Sequence, residues 1–366
     1  MLAHLLLTSL LIVAPAASQE VGFTPWGKAP DGSEVFLYTL RNANKLEARI
    51  VTMGATLIGV DAPDRDGKFA NVTLHLDGRE AYLTGKHPVL GSTIGRYANR
   101  IDTGGFTIDG KRHDLETFNP KTRVHIHGGK TGFAKQNWNA VPIEGEDSVG
   151  VRLKLVSPDG HEGYPGTVKV QLDYHFNNEN ELSLHYSATT DKPTHVSLTN
   201  HAYWNLGGAG SGDVLKHKLL LNAGAILKFD ERRIPTGDFL VVDNTPFDFR
   251  KAQAIGARIG DVEGGYDHCF VLEPRSKELR LAARIEDPAS GRTMEVLTTA
   301  PGLQIYTANH MSAKFGAGGQ SYGKHHAICL ECQHFPDTPN HPNFPTTLLR
   351  PGETYRQKTV HRFTVR

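Results

Sequence analysis

Hydrophobic residues recur at every second position through most of the chain, the spacing of a strand with one buried face rather than of a helix. Val168, Val170, Leu172, Tyr174 and Phe176 share one side, with Lys169, Gln171, Asp173 and His175 on the other. Asn177-Asn178-Glu179-Asn180 interrupts the alternation, and Leu182, Leu184 and Tyr186 resume it, so the segment predicts a hairpin. Phe106-Thr107-Ile108 and Lys111-Arg112-His113 flank Asp109-Gly110, a residue pair favoured in a type I′ turn. Val35, Leu37 and Thr39, and again Val151, Leu153 and Leu155, mark further strands. Helical spacing is scarce. Ile255, Ile259 and Val262 predict a helix within Arg250 to Val262, weakened by Gly256 and Gly260. No repeat of solenoid length and no low-complexity linker breaks the rest of the chain. The pattern therefore predicts one all-β domain over residues 19–366, a large antiparallel β-sandwich with few short helices, whose concave polar face would take a ligand.

The first residues depart from this pattern. Leu5 to Val13 is an apolar run too short to span a bilayer comfortably, and Ala14-Pro15-Ala16-Ala17-Ser18 supplies the small residues that a signal peptidase accepts. Residues 1–18 are expected to be a signal peptide, cleaved after Ser18 or after Ala16, against the alternative of an N-terminal strand or a retained anchor. The mature chain is then exported, periplasmic or secreted, with no membrane attachment after cleavage. Forty basic and 39 acidic residues leave a formal charge of +1, which gives no electrostatic basis for binding nucleic acid or an anionic membrane. Cys269, Cys329 and Cys332 form no disulfide framework. On a strand, Cys329 and Cys332 would face opposite ways, which disfavours a local disulfide and a shared metal.

Candidate chemistry lies in five polar segments. Ser197-Leu198-Thr199-Asn200-His201-Ala202-Tyr203-Trp204-Asn205-Leu206 joins an imidazole, two amides and two large aromatics, a set suited to the apolar faces and hydroxyl rim of a sugar. A packed histidine in an aromatic cluster is the competing reading. Alternation from His201 puts Tyr203 on its side and Trp204 in the core. Gly95-Arg96-Tyr97-Ala98-Asn99-Arg100 offers two guanidinium groups and an amide for hydroxyls, or else surface charge. His125-Ile126-His127-Gly128-Gly129 puts two imidazoles on one strand face, a spacing that also suits a metal, although no third ligand lies nearby in sequence. Gly264-Gly265-Tyr266-Asp267-His268 presents a carboxylate in a glycine-opened turn. Glu331 sits in the apolar run Ala327-Ile328-Cys329-Leu330; it is either a carboxyl pushed toward a general base's range or, by the alternation Cys329/Glu331/Gln333, a solvent-facing residue of an edge strand.

Taken together and in order, these segments resemble the aldose 1-epimerase (galactose mutarotase) family. The likeness extends through His127-Gly128-Gly129 with Gly132-Phe133 and Trp138, Ile234-Pro235-Thr236-Gly237, Pro301 to Asn309, and Glu331-Cys332-Gln333 running into Phe344-Pro345 and Leu349 to Glu353. The resemblance implies that family's β-supersandwich with the sugar in an open cleft. It implies Glu331 as catalytic base, His201 as catalytic acid and His127 as a second active-site histidine. Asn99, Arg100, Asp267 and Gln304 match positions that hold sugar hydroxyls, and Tyr203 lies in the same motif. Two departures, Cys332 beside the base and Val124-His125-Ile126 before the glycine pair, bear on substrate preference rather than on the acid–base pair.

The expected reaction interconverts the α and β anomers of free aldohexoses such as glucose and galactose. It proceeds by acid–base ring opening and requires no cofactor, no metal and no covalent nucleophile. The expected partner is a small aldose, with the protein a monomer or weak dimer. Two other classes compete: a carbohydrate-binding homologue without activity, and a metal-dependent sugar lyase or isomerase built on His125 and His127. Specificity for a phosphorylated hexose is disfavoured, since no basic cluster beyond Arg96 and Arg100 is set aside for phosphate.

Overall fold

Three antiparallel sheets account for the architecture of the chain, seen in a computed structural model that describes residues 19–119 and 121–366. The expected leader, residues 1–18, lies outside the described residues. The first sheet is a five-stranded meander in chain order, from Glu20–Lys28 to Phe69–Asn71. The second has nine strands, with Tyr355–Val365 fifth in order, between Glu181–Thr190 and Arg292–Thr298. The third has six, in the order Tyr203–Trp204, Ile328–Gln333, Gly302–Tyr306, Asp267–Leu272, Ala223–Phe229 and Pro235–Val241.

Apolar positions of period two cause this layering. Leu40 and Ile50 of the first sheet, Leu172 and Leu184 of the second, and Phe270, Leu303 and Leu330 of the third belong to one continuous core. The expected hairpin is present as Val168–Asn177 and Glu181–Thr190, with Leu172 opposite Tyr186. Asp109 (φ 50°) and Gly110 (φ 79°) turn the strand Gly105–Ile108 into Lys111–Asp114, both in the left-handed region that a type I′ turn demands. The expected helix within Arg250 to Val262 is a correction: the segment forms the short strand Gln253–Ala254 and two 3₁₀ turns, Ile255–Ala257 and Ile259–Asp261. Gly256 lies against the Leu215 backbone, where a side chain at that position would meet the carbonyl at 3.0 Å. Only Arg79–Leu83 forms an α-helix among the described residues.

The six-stranded sheet carries the candidate chemistry. Ile328, Leu330 and Cys332 enter the core, so Cys329, Glu331 and Gln333 take the outer face. Gln304 pairs with Glu331, and Tyr306 pairs with both Cys329 and Asp267, which puts Asp267, Gln304, Tyr306 and Glu331 on that same face. The strand of Glu331 is flanked on both sides by other strands, so it is not an edge. Loops cover this part of the sheet: Ala98 N–H donates to Ser197 O, Phe133 N–H to Gly95 O, and His201 N–H to Ser92 O.

Candidate active site

Glu331 and His201 meet beneath those loops. His201 Nε2 lies 3.7 Å from Glu331 Oε1, with both side chains almost fully buried. The His201 ring stacks on Tyr203 (centroids 5.0 Å apart, 12° between planes), and the His127 ring stands edge-on to it at 5.3 Å. Trp204 points the other way, into the core against His361 and Phe363, as alternation requires.

Backbone geometry fixes His127. Both His127 (φ 52°) and Asn99 (φ 64°) are left-handed, and they hold each other: His127 N–H donates to Asn99 O at 2.9 Å, and Asn99 N–H donates to His127 Nδ1 at 3.2 Å. With Nδ1 accepting, neutral His127 carries its proton on Nε2. Burial and the neighbouring His201 and Arg100 hold its pKa well below the usual imidazole value. Gly128 is required next, since a Cβ there would lie 1.9 Å from Gly95 O.

A polar chain runs across the floor from this pair. Asn99 Oδ1 accepts from the Arg100 backbone N–H at 2.9 Å and from its guanidinium at 3.3 Å. The Arg100 guanidinium lies 3.8 Å from Asp267, whose other oxygen accepts from Gln304 Nε2 at 2.6 Å. Glu331 Oε2, Gln304 Oε1 and His201 Nδ1 are buried without a hydrogen-bond partner among the described residues. Orphaned polar atoms are costly in a native interior, and three at one place fit a site that a hydroxyl-bearing ligand completes.

Burial sets the protonation of the central pair. Loss of solvent, reinforced by Asp267 and opposed by Arg100, pushes the Glu331 carboxyl up to about 8. Burial also takes His201 down to about 4. Between those limits the pair holds one proton, and burial favours its place on Glu331, where both partners are neutral. Moving it to His201 gives an ionised base beside a protonated acid without any change in total charge.

All eight residues singled out from the sequence, Asn99, Arg100, His127, His201, Tyr203, Asp267, Gln304 and Glu331, therefore line one region. Two other readings are corrected. His125 and His127 do not share a face, because the strand ends at Ile126 and the left-handed turn at His127 swings its ring away. The His125 ring packs on Tyr164 and bonds to Glu116 O. Among the described residues no group of three or more His, Cys, Asp or Glu side chains could hold a metal. Arg96 is a buried post rather than a sugar ligand: it donates to the carbonyls of Ser157, Pro158, Pro165 and Gly166 and lies 5.4 Å over the Tyr164 ring.

Sequence reasoning passed over Tyr306. It stands edge-on to Tyr203 at 6.2 Å, directly opposite Asp267, and its hydroxyl accepts from His310 N–H. Two-residue alternation from Gln304 was the available signal.

Comparison with known proteins shows the family and the fold. The family model for aldose 1-epimerase matches residues 37–362. The galactose mutarotase of Rattus norvegicus is 41% identical over 346 residues, covering 93% of this chain and 98% of its own. The aldose 1-epimerase of Escherichia coli is 36% identical over 343 residues, covering 92% and 97%. Among solved structures, galactose 1-epimerase from Lactobacillus acidophilus superposes with a TM-score of 0.83 at 29% identity, over 95% of this chain and 99% of its own. An aldose epimerase homologue from C. elegans gives 0.82 at 30%, over 90% and 98%.

Proposed function

Because the chain belongs to the aldose 1-epimerase family, and so is an isomerase of free aldoses, we propose that Glu331 and His201 are its base and acid. Glu331 takes the proton from the C1 hydroxyl of a pyranose. The electron pair left on that oxygen forms the aldehyde C=O, the bond from C1 to the ring oxygen breaks, and His201 delivers a proton to the ring oxygen. Rotation about C1–C2 presents the opposite carbonyl face, and reversal of both transfers closes the other anomer. The pair ends with the one proton it began with.

The approach of Glu331 to His201 at 3.7 Å inside a ring of hydroxyl-binding groups carries this reading. Sugar hydroxyls give the orphaned atoms of both residues partners, and bonding to the charged forms favours the ionised base and protonated acid. His127 donates Nε2–H to a hydroxyl. Asp267 and Gln304 hold others between them, Arg100 and Asn99 close the polar side, and Tyr203 lines the wall. Each positioned proton transfer contributes roughly 10²–10⁴-fold. The substrates are glucose and galactose as free sugars, and the protein acts as a monomer or weak dimer. Polarimetry of freshly dissolved α-glucose and α-galactose tests the reading: the protein should hasten the drift to equilibrium, and an unchanged rate with saturable sugar binding would leave a binding protein instead. Residues 1–18 direct export in this proposal, on the strength of the apolar run Leu5 to Val13 and the small residues after it. N-terminal sequencing of the protein made in its own cell should begin at Ala17 or Gln19; a start at Met1 contradicts it.

A further inference from the structure

Gln357 is a polar residue where the pattern calls for an apolar one. It lies on Tyr355–Val365, the fifth strand of the nine-stranded sheet, and its side chain points into the sandwich in the same row as Thr359, His361 and Phe363. Burying an amide is costly unless its bonds are made. Gln357 Nε2 donates to Leu198 O at 3.0 Å and to Cys332 O at 2.9 Å, while Oε1 accepts from the Tyr355 hydroxyl at 2.8 Å. The Tyr355 hydroxyl in turn accepts from Leu198 N–H at 3.2 Å.

Those two peptide groups belong to the two halves of the reacting pair. Cys332 follows Glu331 directly, and Leu198 lies three residues before His201. The ladder between Tyr203–Trp204 and Ile328–Gln333 consists of two residue pairs, Tyr203 with Cys329 and Trp204 with Ile328. Beyond it the segment Ser197–Asn200 packs beside the strand of Glu331, while its strand pairing, Thr199–Asn200, goes to Thr93–Ile94 instead. There the amide of Gln357 joins them from the opposite sheet.

We propose that Gln357, oriented by Tyr355, is a positioning residue that sets the spacing of Glu331 and His201 for anomer interconversion. The inference rests on the acid–base reading above. Gln357 does not touch the sugar; it acts through the backbone of both partners, so its loss should affect the chemical step more than binding.

The test is the kinetics and pH profile of α-galactose anomerisation by the full chain with Gln357→Met, which keeps the side-chain length and removes both donors and the acceptor. The expected result is a kcat lower by about tenfold to a hundredfold, since a misplacement of about 1 Å can cost 10²-fold. KM should stay within about twofold, and both limbs of the kcat profile should move. Tyr355→Phe should shift kcat in the same direction by less. In a Glu331→Gln background, Gln357→Met should lower the residual rate by a much smaller factor than it lowers the parent's, whereas general loosening would lower both by the same factor. A folded Gln357→Met protein with unaltered kcat and limbs, while Glu331→Gln has lost its activity, overturns the proposal and leaves the acid–base reading standing. Full activity in Glu331→Gln removes both. If the methionine variant does not fold, Tyr355→Phe decides, and unchanged kcat and limbs there also overturn the proposal.

Discussion

Glu331 is held in a state that disfavours folding and favours chemistry. Its folded pKa, raised from 4.5 to about 8, means that the native state binds this proton more tightly than the unfolded chain does. Its contribution to stability is therefore full below about 4.5 and is lost as pH rises toward 8, at about 1.4 kcal/mol per unit. Gln at this position has no such dependence. Glu331→Gln should thus melt higher than the parent at pH 8 and lose much of that advantage at pH 5, a difference that calorimetry at the two pH values would reveal. At Gly128 the constraint is steric. Gly128→Ala meets a backbone carbonyl at a φ of 78° and should cost about 2–3 kcal/mol. It should also raise KM through displacement of His127, as thermal melting and steady-state kinetics would record. The residue scale was the most legible in sequence, because a carboxyl in an apolar run and a histidine beside amides are both anomalies of type. The rise of the Glu331 carboxyl followed from its apolar run, but the fall of His201 did not, since it depends on a burial that only the fold supplies.

Strand alternation explains which elements could be read in advance. The hairpin of Val168–Asn177 and Glu181–Thr190 and the Asp109-Gly110 turn followed from period two and turn chemistry. Alternation also placed Trp204 inward and Tyr203 outward. It failed where the backbone leaves the strand. His127 looks like a strand partner of His125 until the left-handed turn at Asn99 and His127 is known, and that turn is held by one backbone bond, from His127 N–H to Asn99 O, and one from Asn99 N–H to the His127 ring. The Arg250 to Val262 segment has helical spacing, yet its glycines and the close approach of Leu215 break it into single turns. Arg96 and Arg100 are indistinguishable in sequence; one fills a ring of carbonyls and the other reaches Asp267.

Across the molecule, three sheets share one core, and the site lies on the outer face of the six-stranded one. A core held in common couples the sheets, so Trp204→Ala, which empties space near the centre, should destabilise by about 3–5 kcal/mol in urea unfolding. Activity is a property of the Glu331–His201 pair. kcat/KM should fall below about 4, where His201 and Glu331 both carry protons, and above about 8, where the pair has lost its one proton. The two limbs belong to the pair rather than to either residue. A profile flat across that range would remove both groups from the proton-transfer step.

The assignment of Glu331 as the base is tested most directly by the anomerisation rate of Glu331→Gln on fresh α-galactose, followed by polarimetry at pH 7. The arrangement of the site predicts a loss of at least about 10²-fold with the fold intact. A folded Glu331→Gln protein that turns over within a few-fold of the parent would contradict it.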